Sequence, residues 1–273
     1  MTVVSLLTPS FVARQVGYAL EGDWMVGDRA TNEHYAPLET FEKRFGELLA
    51  LTRSLGFEAI DLWTAHLGPG WASDEHLAIA RALLEEHDLT VVSLAGGFGG
   101  TAEEFRATCR VAHGVGTDLL AGSLRLLTAD RAEAVAILQG EGIRLGVENH
   151  PDERTPADLL RKIGDGADGH IGAALDTGWW VTNGFDPVVA VHELKDWLLH
   201  VHLKDVHAPE FELDHRNAAH TEGAVPLEET VRALLEVGYT GPIGLEDHPF
   251  DRDPTPTLPR GRELLKGWLH ERA

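Results

Sequence analysis

The chain has 273 residues, of which 43% are hydrophobic and 25% charged, as is typical of a globular protein. It carries 23 Lys and Arg residues against 44 Asp and Glu residues, a formal net charge of −21, so the phosphate backbone of a nucleic acid is an unfavourable partner. The single Cys109 excludes an intrachain disulfide and fits a reducing, cytoplasmic location, and no apolar run approaches the roughly 20 residues of a membrane span. We therefore expect no nucleic-acid partner and no membrane partner.

Short apolar segments alternate with longer amphipathic segments along the chain. A first strand is predicted near Gln15–Ala19. The later strand-like segments are Phe57–Leu62, Leu89–Leu94, Asp118–Ala121, Leu145–Asn149, Ile171–Leu175, Leu198–Leu203 and Ile243–Leu245. The helix-like segments between them are Glu39–Leu55, Asp74–His87, Ala102–Val115, Ala129–Gln139 and Leu227–Val237.

This alternation predicts eight β/α units. Nearly continuous apolar strands are typical of a parallel sheet covered on both faces. Eight units is the number in a (β/α)8 TIM barrel, although a doubly wound sheet shows the same alternation. No linker-like composition break interrupts the chain, so we expect one α/β barrel domain over residues 1–273.

Each of the last four predicted strands ends in a residue of a type that binds metals. These residues are Glu148, Asp176, His202 and Glu246. In a barrel the C-terminal ends of the strands meet at one mouth, so the four side chains are expected to converge. Converging carboxylates repel each other unless a cation lies between them. Three oxygen ligands and one nitrogen ligand suit Mn2+, our expectation, with Mg2+, Co2+ or Zn2+ as alternatives.

A single acidic residue at a strand end more often caps a helix or begins a turn. Four strands in succession with such an ending favour the metal site. Side chains two residues apart on a strand point to the same side, so His150, Lys204 and His248 are expected beside the ligands. The two histidines contact substrate or orient the carboxylates, or lie exposed at the rim. Lys204 holds a substrate anion or pairs with Asp205 or a nearby glutamate.

Four motifs resemble those of the sugar isomerase/epimerase group of the xylose isomerase-like TIM barrels. They are Glu148-Asn149-His150, Leu175-Asp176-Thr177-Gly178, His200-Val201-His202-Leu203-Lys204-Asp205 and the segment from Gly238 to Glu246. The resemblance implies one metal ion held by Glu148, Asp176, His202 and Glu246. In the epimerase-like members the two glutamates also take and return the substrate proton, so Glu148 and Glu246 are the catalytic candidates.

The earlier strands contribute further candidates for substrate contact. Asp61 and His66 follow the second predicted strand, where this group often has an acidic residue and a histidine. Trp179 is expected to form an apolar wall for a sugar-like ring, although many members have a histidine at that position. The polar segment Val206–Val225 either closes over the mouth or is a solvated loop.

The sequence thus predicts a metal-dependent isomerase or epimerase that removes the proton next to the carbonyl of a sugar, keto-sugar or related polyol. A dehydratase acting on a keto-inositol-like substrate shares that first step and stays open. So does a barrel that binds metal or sugar without catalysis. A small sugar or polyol is the expected partner, and a homodimer is a possible assembly.

Overall fold

The computed structural model describes residues 2–270, so Met1 and residues 271–273, the ends of the predicted domain, lie outside it. The described residues form a closed barrel of parallel strands with helices around it. The barrel strands are Val4–Leu7 (β1), Ala59–Trp63 (β2), Thr90–Gly97 (β3), Leu119–Ser123 (β4), Arg144–Glu148 (β5), Ile171–Asp176 (β6), Leu198–Val206 (β7) and, after the short Asn217–Ala218 (β8), Ile243–Glu246 (β9). The order β6-β5-β4-β3-β2-β1-β9-β7 closes because β6 also pairs with β7, which confirms the predicted TIM barrel.

Helices connect the strands and cover the outside of the barrel. They are Trp24–Tyr35 (α1), Leu38–Ser54 (α2), Asp74–Glu86 (α3), Ala102–Val115 (α4), Arg125–Ala129 (α5), Arg131–Glu141 (α6), Pro156–Ile163 (α7), Thr177–Thr182 (α8), Pro187–Leu194 (α9), Leu227–Glu236 (α10) and Leu258–His270 (α11). Capping residues fix several starts: Thr101 accepts from the backbone N–H of Glu104, whose carboxylate bonds back to Thr101. Among the described residues, no helix is long and apolar enough to cross a membrane.

The prediction of a first strand near Gln15–Ala19 was wrong. The first strand is β1, an apolar run that precedes Pro9 and its 3-10 turn. Residues Arg14–Val16 form another 3-10 turn, and Gly17 and Tyr18 follow with φ of 67° and 58°. A left-handed backbone at two successive residues is incompatible with a strand. The other predicted strands overlap the observed ones.

A polar cluster lies inside the barrel, below the C-terminal ends of the strands. The Asp61 carboxylate accepts hydrogen bonds from Ser5 Oγ at 2.5 Å and from Ser93 Oγ at 2.6 Å, and His200 Nε2 lies 2.5 Å from it. All four side chains are fully buried. Gly244 leaves room for this cluster, since a Cβ there would lie 2.5 Å from Asp61 Oδ2. The cluster therefore ties β1, β2, β3 and β7 together.

The segment after β7 is an ordered hairpin. The strand β7 pairs antiparallel with β8, so residues 207–216 form the turn between them, here called the hairpin loop. The chain that follows is fastened to Asp205, whose carboxylate accepts from the backbone N–H groups of Gly223 at 2.9 Å and Val225 at 3.1 Å. Residues 207–213 and 221–224 are exposed, so much of the segment Val206–Val225 is solvated although it is ordered by these bonds.

Candidate active site

The four predicted ligand residues stand at the same end of the barrel. Glu148, Asp176 and Glu246 are the last residues of β5, β6 and β9, and His202 pairs with Asp176 across β6 and β7. Their side chains are almost completely buried. The convergence follows from the parallel barrel, in which every strand presents its C-terminal end to one mouth.

Three of these residues form a compact group. Ligand atoms of Glu148, Asp176 and His202 all lie within 4.8 Å of one another, and we call this group the ligand cluster. Glu246 lies beside it, with Oε2 4.0 Å from His202 Nδ1. The Oδ1 atom of Asp176 accepts from the Trp179 backbone N–H at 2.8 Å and caps α8. The helix-cap interpretation of Asp176 is thus also true, and it leaves Oδ2 facing the other residues of the site.

Lys204 lies among the carboxylates. Its ammonium is 2.7 Å from Asp176 Oδ2 and 3.3 Å from Glu246 Oε2, which is its neighbour because the two residues pair across β7 and β9. Gly178 leaves space for the lysine stem, since a Cβ there would lie 2.9 Å from Lys204 Cδ. Burial would lower the pKa of Lys204, but the carboxylates of Asp176, Glu246 and Glu148 raise it well above its usual range. Lys204 is therefore a permanent buried cation.

Each glutamate has a histidine partner two residues later. His248 Nδ1 lies 2.7 Å from Glu246 Oε1, and His150 Nε2 lies 3.5 Å from Glu148 Oε2. Burial would raise the pKa of both glutamates, but His150, His202 and Lys204 hold the pKa of Glu148 at about 2. Lys204 and His248 hold the pKa of Glu246 well below its usual range. Both glutamates are therefore ionised at neutral pH.

The donor set fits a divalent cation. His202 Nδ1 lies 2.9 Å from Glu148 Oε1, while its Nε2 is buried and has no hydrogen-bond partner within residues 2–270. The carboxylates of Glu148, Glu246 and Asp176 raise the pKa of His202 to about 9 despite its burial, so its ring must give up a proton to act as a ligand. Three carboxylates and the Lys204 ammonium then leave a net charge of −2. One divalent ion balances that charge, and oxygen and imidazole ligands are those that Mn2+, Mg2+ and Zn2+ accept.

Two of the predicted substrate contacts lie away from the ligand cluster. Both oxygens of Asp61 are used inside the barrel. His66 is buried, its Nδ1 is 3.0 Å from Thr8 Oγ1, and its ring packs edge-on against Trp63 and Tyr35. Burial lowers the pKa of His66 to about 3, so its ring is neutral. Asp61 therefore holds the barrel interior together, and His66 packs among aromatic side chains.

The remaining candidates border the mouth, together with two residues that the sequence did not single out as site residues. The Trp179 ring lies 6.0 Å from that of His150 and stacks at 3.8 Å on His215 of the hairpin loop. Trp24 of α1 packs edge-on against His248 at 4.9 Å. Nothing in the local pattern marks Trp24. The only signal for His215 is its place in the polar segment after β7.

Comparison with known proteins agrees with this architecture. The family model described as xylose isomerase-like TIM barrel matches residues 49–268. No curated protein matches the chain significantly.

Three similar solved structures cover nearly the whole chain. A xylose isomerase-like TIM barrel protein from Mycobacterium smegmatis, in complex with magnesium, is 19% identical over 98% of this chain and 97% of its own, with a TM-score of 0.71. The D-allulose 3-epimerase from Methylomonas sp. is 18% identical over 98% of both chains, with a TM-score of 0.67. The 3-keto-D-glucoside 4-epimerase from E. coli is 16% identical over 98% of this chain and 100% of its own, with a TM-score of 0.66. At these identities the likeness shows the fold.

The family model spans most of the barrel, from the end of α2 to within α11, and includes every residue of the ligand cluster. The family predicted from the four motifs is confirmed: the chain belongs to the xylose isomerase-like TIM barrel family.

Proposed function

We propose that this protein is an isomerase or epimerase of a sugar, keto-sugar or related polyol, which removes the proton next to a carbonyl. The observation that carries the proposal is the pair of ionised glutamates, Glu148 and Glu246, each within 4.0 Å of His202 Nδ1 at the barrel mouth. They come from β5 and β9, so they stand on different sides of the mouth. The epimerase activities named for two similar structures support the same class of reaction.

The proposal includes one divalent metal ion, Mn2+ by expectation. Glu148, Asp176, His202 and Glu246 would hold it, with Glu246 joining the ligand cluster from its position beside it. When bound, such an ion acts as a Lewis acid that makes the C–H next to the carbonyl more acidic. The magnesium complex of the Mycobacterium smegmatis protein supports a divalent ion in this fold.

The site residues have different roles in the proposed reaction. One glutamate takes the proton from the carbon next to the carbonyl and becomes a carboxylic acid. In isomerisation it gives this proton to the adjacent carbon. In epimerisation the other glutamate takes up a proton from solvent and gives it to the opposite face, and the first glutamate releases its own proton to solvent. The ammonium of Lys204 holds the oxygen on which negative charge develops. His248 and His150 orient the two glutamates, and His150, with its side chain 38% exposed, also reaches the substrate. Trp179 forms an apolar wall for the carbon skeleton.

Dehydration is the alternative reaction, because it begins with the same proton transfer. It also requires a group that gives a proton to the leaving hydroxyl. The glutamate that has taken the proton can supply it, so the position of a leaving hydroxyl in the substrate decides between dehydration and isomerisation or epimerisation. A barrel that binds metal or sugar without catalysis would use the same ligands, so turnover separates it from the enzyme.

The test is turnover in D2O. The purified protein is loaded separately with Mn2+, Mg2+, Co2+ or Zn2+ and incubated with D-allulose, a 3-keto-glucoside and a keto-inositol. We expect one of these compounds to yield an isomer or epimer carrying deuterium at the carbon next to the carbonyl. A product formed by loss of water would show that the protein is a dehydratase. Turnover without deuterium uptake would indicate a hydride shift and contradict the proposed proton transfer.

A further inference from the structure

His215 belongs to the hairpin loop and has no role in the mechanism proposed above. The loop that carries it is well fastened: Arg216 pairs with Asp214 at 2.8 Å and with Glu210 at 3.0 Å. The backbone N–H of His207 also donates to the carbonyl of Arg216 at 2.9 Å. His215 is therefore held at a defined position.

The His215 ring is fixed against the mouth by contacts on several sides. It stacks on Trp179 with ring centroids 3.8 Å apart and planes 14° apart, and it lies 6.1 Å from the His248 ring. Its Nδ1 atom lies 2.7 Å from Thr182 Oγ1. Trp179 and Thr182 both belong to α8, which Asp176 caps, so the position of the ring is fixed relative to the ligand cluster.

The other ring nitrogen of His215 is the unusual feature. Its Nε2 atom is buried and has no hydrogen-bond partner among the described residues. Buried polar atoms almost always have a partner. The titratable groups near the ring include Lys204, His248, Glu246 and His150, all residues of the mouth. The free nitrogen thus lies where a molecule bound at the mouth would supply the missing partner.

We propose that His215 is a substrate-binding residue, whose Nε2 atom forms a hydrogen bond with a hydroxyl of the substrate. We assign that hydroxyl to the part of the molecule farther from the carbonyl, because the rings next to His215 are those of Trp179 and His248, which are not members of the ligand cluster. The inference rests on the proposed function and narrows it: the substrate is a polyhydroxylated chain or ring that extends under the hairpin loop.

Packing alone is the competing explanation for His215. A phenylalanine at this position keeps an aromatic ring on Trp179 but offers no nitrogen. A glutamine places an amide nitrogen near the position of Nε2 but offers no ring. The variants His215→Phe and His215→Gln therefore separate the two roles.

The experiment measures binding of D-allulose and of its 5-deoxy and 6-deoxy forms by calorimetry, with the metal-loaded protein. For His215→Phe we expect D-allulose affinity to fall about 10-fold, the usual scale of one hydrogen bond to a ligand, and His215→Gln to recover part of it. One of the two deoxy sugars should bind wild type and His215→Phe equally, because it lacks the contacted hydroxyl. The matched control is His207→Phe, at an exposed position of the same loop, which should bind like wild type.

Equal D-allulose affinity in wild type and His215→Phe would overturn the inference, as would an equal loss for all three sugars. If the wild type binds these sugars through His215 but converts none of the tested compounds, the inference stands and the proposed function fails. If the wild type converts D-allulose and His215→Phe binds it normally, the proposed function stands and the inference fails. No binding of any of the three sugars to the wild type would overturn the inference.

Discussion

Lys204 balances the charge at the barrel mouth. It is one of the largest fully buried side chains of the described protein, and its ammonium lies between Asp176 and Glu246. A buried carboxylate pair without a cation is strongly unfavourable. Lys204 offsets the charge of one of the three carboxylates, and the divalent ion that we propose would offset the other two.

We expect Lys204→Met to lower the free energy of unfolding of the metal-free protein by about 3–5 kcal/mol, the cost of breaking a buried ion pair. Urea unfolding in the presence of a chelator measures this loss of unfolding free energy. Added Mn2+ should reduce the difference from wild type, because the ion supplies part of the missing positive charge. Lys195→Met, at an exposed position, is the control. Wild-type stability of Lys204→Met in chelator would show that the ion pair is not needed.

The two glutamates carry the proposed proton transfer. Replacing glutamate by glutamine keeps the size and one oxygen but removes the basicity. We expect Glu148→Gln and Glu246→Gln each to lose on the order of 10²–10⁴-fold in turnover, while some metal binding persists. Turnover and bound metal are measured on the same samples, with the exposed Glu222→Gln as the control. Full activity in both variants would rule out the assigned bases.

At the scale of single elements, β7 connects the barrel interior to the mouth. His200, His202 and Lys204 alternate along one face of this strand, as the two-residue period of a strand requires. His200 contacts Asp61 below, and its ring lies 5.0 Å from that of His202. Lys204 reaches the carboxylates above. One strand therefore couples the structural polar cluster to the ligand cluster.

For Asp61→Asn we expect a loss of about 3–5 kcal/mol in the free energy of unfolding, because a fully buried ionised partner of His200 is removed. The hydroxyls of Ser5 and Ser93 also lose a charged acceptor. Denaturant unfolding measures the change, and the exposed Asp152→Asn should show almost none. An Asp61→Asn protein as stable as wild type would mean that the cluster contributes little to the barrel.

The hairpin after β7 depends on a glycine. A Cβ at Gly223 would lie 2.2 Å from Asp205 Oδ1 and 2.4 Å from the carbonyl oxygen of Val206. We expect Gly223→Ala to break the bonds to Asp205 and to speed proteolytic cleavage between residues 207 and 225. Gly140→Ala in α6, where a Cβ meets nothing within 4 Å, should be cleaved like wild type. Equal cleavage of Gly223→Ala and wild type would show that the segment absorbs the clash.

At the scale of the whole molecule, the closed barrel brings distant strands to one mouth, and metal binding should stabilise that arrangement. We expect about one Mn2+ per chain, with a gain in unfolding free energy of about 2.7 kcal/mol at a free ion concentration 100 times Kd. Elemental analysis and thermal unfolding with and without chelator measure both effects. The double variant Asp176→Ala, His202→Ala should lose them, and retained binding would refute the assigned ligands.

The sequence by itself determined the barrel and the chemistry of its strand ends. Apolar runs, helical periodicity and the residue at each strand end are local properties of the chain, so they can be recognised from the sequence alone. The first strand was missed because β1 has only four residues and Pro9 follows closely. The sequence offered two interpretations of Asp176, a helix cap and a metal ligand. The structure shows that Oδ1 caps α8, which leaves Oδ2 for the proposed metal site.

Only the tertiary structure decided which polar groups meet. Asp61 and His200 are 139 residues apart in the chain, yet their side chains are 2.5 Å apart, which places Asp61 inside the barrel rather than at its mouth. Lys204 pairs with Asp176 and Glu246 rather than with its neighbour Asp205, and His215 reaches Trp179 through a hairpin that no local pattern specifies. Strand register and barrel closure fix these contacts. Both arise from packing across the whole molecule, because the buried backbone N–H and C=O groups of each strand need partners on its two neighbouring strands.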